Sequence, residues 1–183
     1  MAPALLALAA AAFPAAQDAA PDLSDPIALF KGVCLADSVA LPKGSVAAQP
    51  YAGLPDGAKA ALSFANPPRG VPSLKPPEAA AGLPNRILAV LPGKTSYLLL
   101  PADTGPYAGS CAIVWRGNHF SDALKAAQAL APDAVVPTGS TPIVGLNYTV
   151  IQSKGMIVGA AELQGWTVLR IAPDTSPQEP STQ

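Results

Sequence analysis

Prolines between residues 41 and 84 limit the possible fold of this chain more than any other feature of its sequence. The segment contains Pro42, Pro50, Pro55, Pro67, Pro68, Pro72, Pro76, Pro77 and Pro84. Each fixes φ and removes a backbone N–H, so no long helix or central strand can run through the segment. We therefore predict a Pro-rich connector over residues 41–84, extended except for one short helix over residues 55–64.

Apolar runs that can build a core follow the connector. Residues 86–91 and 96–100 are apolar and are separated by a Pro-Gly turn signal, which is typical of a hairpin. Residues 111–116 then alternate, which places Cys111 and Trp115 on the same face of a strand. Together these segments predict a three-stranded antiparallel meander.

A helix and a second meander are predicted after these strands. Apolar side chains recur at helical spacing from Phe120 to Leu130, so we predict a helix there, capped by Asn118 or Ser121. Three further strand-like runs are divided by turn signals that contain glycine, and they cover residues 147–153, 156–163 and 166–172. In the last of them, we expect Arg170 to point partly to solvent.

An N-terminal helix completes the predicted fold. Ser24 or Asp25 can cap it, and Ile27 and Cys34 lie on one face at helical spacing. The sequence therefore predicts a single α+β domain over residues 24–173. Its mainly antiparallel sheet has about six strands in two three-stranded meanders, with one helix before the meanders and one between them, both packed on one face.

The N-terminus has the composition of a secretory signal peptide. An uncharged Ala/Leu run is followed by a boundary of small residues at Ala16. The run is shorter than the roughly 20 residues that a membrane span needs, so we expect residues 1–16 to be removed and no transmembrane span to remain. This predicts a secreted or periplasmic protein with a flexible leader at residues 17–23 and a disordered tail at residues 174–183.

The chain has two cysteines, Cys34 and Cys111, without the spacing of a redox or metal motif. In the oxidising compartment that export implies, an even pair of this kind predicts one structural disulfide. The long loop that it closes would stabilise the fold by about 4 kcal/mol in the chain-entropy account. Two buried free thiols are the alternative.

Charge and composition exclude several function classes. The chain has 11 basic and 12 acidic side chains and a pI of about 5.7, so it lacks the basic footprint of a protein that binds nucleic acid or an anionic membrane. One histidine and two distant cysteines cannot build a tetrahedral metal site by themselves. No cofactor fingerprint occurs, and we expect neither a metal nor a cofactor.

Asp103-Thr104-Gly105 follows an apolar strand and resembles the Asp-Thr-Gly motif of aspartic proteases. In that family two such aspartates share one proton, because like charges about 3 Å apart cannot both ionise. The motif occurs once in this chain, so the resemblance implies a homodimer in which Asp103 is catalytic. Asp and Gly are also favoured in turns for backbone reasons, which is the alternative interpretation of the tripeptide.

His119, the only histidine, lies in a polar cluster at the predicted junction of strand and helix. With Ser121 and Asp122 it supplies the residue types of a Ser-His-Asp triad, which makes His119 a second catalytic candidate. Three side chains within four positions cannot easily converge in the order that a triad needs. Helix capping accounts for Ser121 and Asp122 without catalysis.

These observations favour an exported, non-enzymatic binding or interaction domain whose partner is an unknown protein or small molecule. The reasons are the signal-like N-terminus, the cysteine pair and the lack of a convergent catalytic set. A hydrolase is one alternative, either as an aspartic-protease-like homodimer using Asp103 or as an enzyme using His119. A structural component of the cell envelope is the other.

Overall fold

A computed structural model describes residues 22–35, 41–65, 87–90, 93–101, 109–134, 146–153 and 155–174. They form three α-helices, α1 (Pro26–Phe30), α2 (Asp56–Ala65) and α3 (Phe120–Leu130). The strands are β1 (Val46–Ala48), β2 (Ile87–Val90), β3 (Ser96–Leu99), β4 (Cys111–Arg116), β5 (Leu146–Ser153), β6 (Met156–Leu163) and β7 (Trp166–Pro173). A π-helical turn, Lys31–Leu35, continues α1, and a 3-10 turn, Tyr51–Gly53, precedes α2. The predicted α+β class is confirmed.

Several predicted features lie outside the described residues. These are the signal peptide at residues 1–16, most of the leader, the second half of the Pro-rich connector, the tail after Asp174 and the Asp-Thr-Gly motif at Asp103. Within the ranges that are described, no helix is long and apolar enough to cross a membrane.

The strands form an antiparallel sheet in the order β1-β2-β3-β4-β7-β6-β5. The consecutive strands β2-β3-β4 and β5-β6-β7 are its two halves, and β4 pairs with β7 to join them. The Pro-rich connector contributes β1, a strand that the sequence does not predict, at the edge beside β2. An edge position suits a short strand between prolines, because only one of its sides has to supply hydrogen bonds to the sheet.

Helices cover both faces of the sheet, which corrects the prediction that they pack on one face. On the face that we call the α2 face, Ala58 and Leu62 of α2 pack against the strands. On the opposite face, called the α1/α3 face, Phe30 of α1 and Ala127 of α3 pack against them. The central strands explain this arrangement, because their consecutive residues are buried on both sides and each apolar face needs a cover.

The α2 face holds the aromatic pair Tyr97 and Trp166, whose ring centroids lie 5.9 Å apart. Burial raises the pKa of the Tyr97 hydroxyl above its ordinary value. Both rings lie in or against the apolar cluster that α2 covers. This face therefore includes a phenol that is held in its neutral form.

Arg170 on β7 is buried, with 6% of its surface exposed, which corrects the expectation that it points partly to solvent. Its Nε donates a hydrogen bond of 2.6 Å to the Ser110 hydroxyl. Ala112 and Gly159 flank it in the neighbouring strands. These small residues leave room for a guanidinium on the α2 face, and the hydrogen bond offsets the cost of desolvating it.

Cys34 and Cys111 form a disulfide, as the sequence predicts, with their Cα atoms 5.6 Å apart. The bridge joins the π-helical turn after α1 to the first residue of β4, across 77 positions of sequence. The alternative of two free thiols is therefore wrong. Because Cys111 alternates with Ile113 and Trp115, the bond lies on the α1/α3 face.

A tight turn fixes the register of β6 and β7. Gln164 and Gly165 both have positive φ, 53° and 74°, which is the conformation of a type I′ hairpin turn. Leu163 and Trp166 pair directly on either side of it. The turn signal that the sequence carries at Gly165 is confirmed.

Candidate functional site

A cleft with a volume of about 340 Å³ lies where α1 and α3 begin, on the α1/α3 face of the sheet. We call it the α1/α3 cleft. Three parts of the fold line it: the start of α1, the adjacent ends of β3 and β4, and the start of α3. Its lining residues are Ser24, Asp25, Pro26, Ile27, Thr95, Ser96, Trp115, Arg116, His119 and Asp122. Pockets of this size accommodate small molecules.

The start of α1 brings Asp25 to the cleft as the N-cap. Its Oδ1 accepts hydrogen bonds from the backbone N–H groups of Ile27 (2.9 Å) and Ala28 (3.2 Å), and Pro26 occupies the first turn. Of the two caps that the sequence allows, Ser24 and Asp25, the structure uses Asp25. The Oδ2 of Asp25 makes no hydrogen bond with a described residue, so half of this carboxylate remains available.

Ser24 is held away from any catalytic role by its neighbour. Its hydroxyl and its backbone N–H both donate to Oδ1 of Asp22, at 2.7 Å and 2.9 Å. These hydrogen bonds lower the pKa of Asp22, because they favour the charged carboxylate. The Ser24 hydroxyl therefore supports the turn before α1.

The start of α3 is fixed from β6 and β7, which corrects the prediction that Asn118 or Ser121 caps it. Oε2 of Glu162 accepts a hydrogen bond of 3.0 Å from the N–H of Phe120. The Thr167 hydroxyl accepts one of 3.0 Å from the N–H of His119 and donates one of 2.8 Å to the carbonyl of Gly117. The cap comes from strands distant in sequence, so no local pattern marks it.

His119 lies in the cleft, but the described residues do not assemble the predicted triad around it. Its ring lies against Gly117, where a Cβ would overlap the imidazole. Its Nδ1 is 3.9 Å from Oδ2 of Asp122, beyond hydrogen-bond range. No described hydroxyl forms a hydrogen bond with the imidazole. Ser121 is exposed and does not line the cleft.

The Asp122 carboxylate also makes no hydrogen bond with the described residues. Lys125 is its other charged neighbour, with Nζ 4.0 Å from Oδ1. Both side chains are more than half exposed, so this attraction is weak and screened. Asp122 therefore reaches the cleft as a carboxylate that is free to accept a donor.

Ser96 and Trp115 form the floor of the cleft from the sheet. They pair directly across β3 and β4, so their side chains share the α1/α3 face. Only 6% of Ser96 and 5% of Trp115 is exposed. Neither the Ser96 hydroxyl nor the Trp115 Nε1–H forms a hydrogen bond with a described residue, and neither atom is sealed from solvent. Two polar groups on largely buried residues thus lack a partner within the described fold.

Arg116 lies at the rim of the cleft, at the end of β4. Its backbone N–H donates to the carbonyl of Thr95 at 2.9 Å, and its side chain is exposed. The guanidinium makes no ion pair with any residue in the described ranges. Its partner across the sheet is Trp166, so the side chain lies toward the α2 face. Asp25 and Asp122 supply carboxylates to the cleft from the two helices.

Sequence patterns identify some of these residues and miss others. His119, Asp122 and Arg116 belong to the polar cluster that the sequence marks, and the structure places all three at the cleft. The sequence predicts Asp25 only as a possible cap of α1, and no pattern places it or Ser96 at the cleft, because only the packing of α1 on the sheet brings them there. Among the described residues, no group of three or more His, Cys, Asp or Glu side chains is arranged to hold a metal ion.

Comparison with known proteins adds no functional assignment. No family model matches the sequence, and neither a curated protein nor a solved structure matches the chain.

Proposed function

We propose that this protein is an exported, non-enzymatic binding domain and that the α1/α3 cleft is its ligand site. One observation carries the proposal: the Ser96 hydroxyl and the Trp115 Nε1–H face solvent from largely buried residues without a partner in the described fold. Because both groups are open to solvent, water can satisfy them in the free protein, and a ligand that hydrogen-bonds to both would replace that water.

The composition of the cleft also supports a small ligand. Its lining combines an indole and the side chain of Ile27 with hydroxyls and carboxylates. Binding sites typically pair an apolar wall with a few polar groups that orient the ligand. Non-enzymatic binding is favoured over hydrolysis by His119, because its imidazole makes no hydrogen bond with a described hydroxyl or carboxylate.

Amide NMR spectra of the full chain test the ligand site. We expect at least one of acetate, ethylammonium, acetamide, glycerol and glucose to produce saturable shifts in the amides of Ser96, Trp115 and His119. Ser96→Ala should weaken this response, and Ser121→Ala, an exposed serine outside the cleft, is the matched control. Shifts spread evenly over the surface, or none at all, would contradict a ligand site here.

Export is the second part of the proposal, and the Ala/Leu run before Ala16 supports it. The disulfide is in keeping with an oxidising compartment. Mass spectrometry of the protein expressed from its full sequence should find a mature chain that begins near Gln17 and is lighter by two hydrogen atoms than its reduced form. A chain that keeps Met1 and remains inside the cell would overturn the proposal of export and leave the ligand site standing.

A further inference from the structure

We infer that the ligand of the α1/α3 cleft is a small zwitterion, an α-amino carboxylate with an apolar side chain. This inference rests on the proposed function and specifies the chemistry of the same site. It follows from the two kinds of group that the cleft leaves available. Asp25 and Asp122 offer carboxylate oxygens, while Ser96 and Trp115 offer hydrogen-bond donors.

The carboxylates require a cationic group in the ligand. Oδ2 of Asp25 is unused by the helix cap, and the Asp122 oxygens lie 3.9 Å from Nδ1 of His119 and 4.0 Å from Nζ of Lys125. A simple anion would be repelled by these two carboxylates, which is unfavourable at short range. An ammonium group can donate to both carboxylates, because it carries three hydrogen-bond donors.

The donors require an acceptor in the same ligand. The Trp115 Nε1–H can only donate, and the Ser96 hydroxyl can donate as well. A simple amine would pair with the carboxylates of Asp25 and Asp122 but would offer no acceptor to Ser96 and Trp115. A carboxylate on the ligand satisfies both.

The size and wall of the cleft narrow the class further. A volume of about 340 Å³ lies at the lower end of the range for ligand pockets, which suits a molecule as small as one amino acid. Pro26 and Ile27 give the cleft an apolar wall at the start of α1. An aliphatic side chain buries its surface there, so leucine is the natural probe.

The test compares leucine with two molecules that each lack one charged group. Isocaproate is leucine without the ammonium, and isoamylamine is leucine without the carboxylate. In the Trp166→Phe variant, the fluorescence of Trp115 reports the cleft alone, and amide NMR locates the response. We expect L-leucine to bind at least tenfold more tightly than either analogue, which is about 1.4 kcal/mol.

Substitutions test which residues of the cleft bind the ammonium group of leucine and which bind its carboxylate. Asp25→Asn preserves the cap of α1, since Asn caps as well as Asp, and Asp122→Asn changes an exposed side chain. Each should weaken leucine about tenfold and leave isocaproate unchanged or tighter. Ser96→Ala should weaken leucine and isocaproate together and leave isoamylamine unchanged. Asp56→Asn, the same charge change on the opposite face, should alter none of them.

The outcomes separate this inference from the proposed function. If isocaproate or isoamylamine binds the cleft as tightly as leucine, the zwitterion is wrong and the ligand site stands. If leucine leaves the NMR signals of the cleft amides unchanged while another small compound shifts them, the zwitterion is again wrong and the ligand site stands. If no compound shifts them, both the zwitterion and the ligand site are wrong.

Discussion

The two faces of the sheet are covered in different ways. On the α2 face a single ten-residue helix lies across β4 to β7, and the buried polar pair Arg170 and Ser110 is joined by a hydrogen bond. The α1/α3 face is covered by two helices that begin side by side, with Ser96 and Trp115 between them. Among the described residues, the α1/α3 face retains a polar cleft, whereas the polar pair on the α2 face is buried.

This difference comes from how the helices on the α1/α3 face begin. The first turn of a helix has N–H groups without intrahelical partners, so polar groups must gather there. Asp25 serves α1, and Glu162 and Thr167 serve the region where α3 begins. Where two such starts meet, the space between them stays polar and open, whereas the apolar stripe of one helix can close a face.

Removing the disulfide tests whether the α1/α3 face needs its covalent link, and it should have the largest effect on stability. For Cys34→Ala combined with Cys111→Ala, we expect the free energy of unfolding to fall by about 4 kcal/mol in urea titrations. Wild-type protein under reducing conditions is the control and should behave like the double variant. A loss below about 1 kcal/mol would mean that α1 holds its position without the bond.

Two adjacent leucines in β3 compare the cores of the two faces directly. Leu98 is buried on the α1/α3 face and Leu99 on the α2 face. Each change to alanine should lower the free energy of unfolding by about 3 kcal/mol, because each leaves a cavity. Gln152→Ala, on an exposed position of β5, is the control. A small loss at either leucine would show that its face is not a core.

Gly117→Ala tests the close approach of the His119 ring to Gly117 beside the cleft. Gly117 has a φ of 120°, and an added Cβ would meet the His119 ring, so we expect a loss of about 2 kcal/mol and a shift in the His119 NMR signals. Gly155→Ala is the matched control, because its φ of 83° is also positive but nothing lies near the added Cβ. Equal losses at the two positions would mean that the contact with the ring is unimportant.

Glu162→Gln sharpens the account of how α3 begins. The amide oxygen can still accept from the N–H of Phe120, but it lacks the charge that favours the positive end of a helix. Thermal or urea unfolding should register a loss of about 0.5–1 kcal/mol. Ser121→Ala should have less effect, because Ser121 is not the cap. The opposite ranking would restore the prediction made from the sequence.

Alkaline pH should affect the α2 face slightly and in a known direction. The pKa of Tyr97 is raised by burial above its ordinary 10.0, so above that pH the unfolded chain loses a proton that the folded chain retains. Stability is therefore complete below pH 10 and falls as pH rises toward the pKa of the folded state. The free energy of unfolding of Tyr97→Phe should depend less on pH in this range, and identical slopes would contradict the assignment.

Much of the fold can be predicted because its signals are local. The alternation of Cys111 to Arg116, the turn at Gly165 and the helical stripe after Phe120 each appear within a few neighbouring residues. The disulfide can also be predicted, because the chain has only two cysteines and they can pair only with each other. The placement of α2 alone on one face of the sheet cannot be predicted from local signals, because it depends on how much apolar surface the finished sheet exposes on each side.

The surroundings of Arg170 and of the cleft residues cannot be predicted from the sequence, because they also depend on the finished sheet. Arg170 has the charge of a surface residue, yet Ala112 and Gly159 on the neighbouring strands make space for it. Ser96 is an ordinary serine until its cross-strand partner Trp115 and the start of α1 enclose it. Such environments arise from pairing and packing across long sequence distances, and composition and spacing contain no record of them.

The pairing of β4 with β7 also sets an order of assembly. Each meander consists of strands adjacent in sequence, so both can form from short-range contacts, while the junction between them must wait until the last strand has been synthesised. Both cysteines precede β5, so the covalent link can close while the second meander is still absent. Until β7 has been synthesised and has paired with β4, the edge of β4 is left without a partner. A chain truncated before β7 should therefore aggregate through this edge.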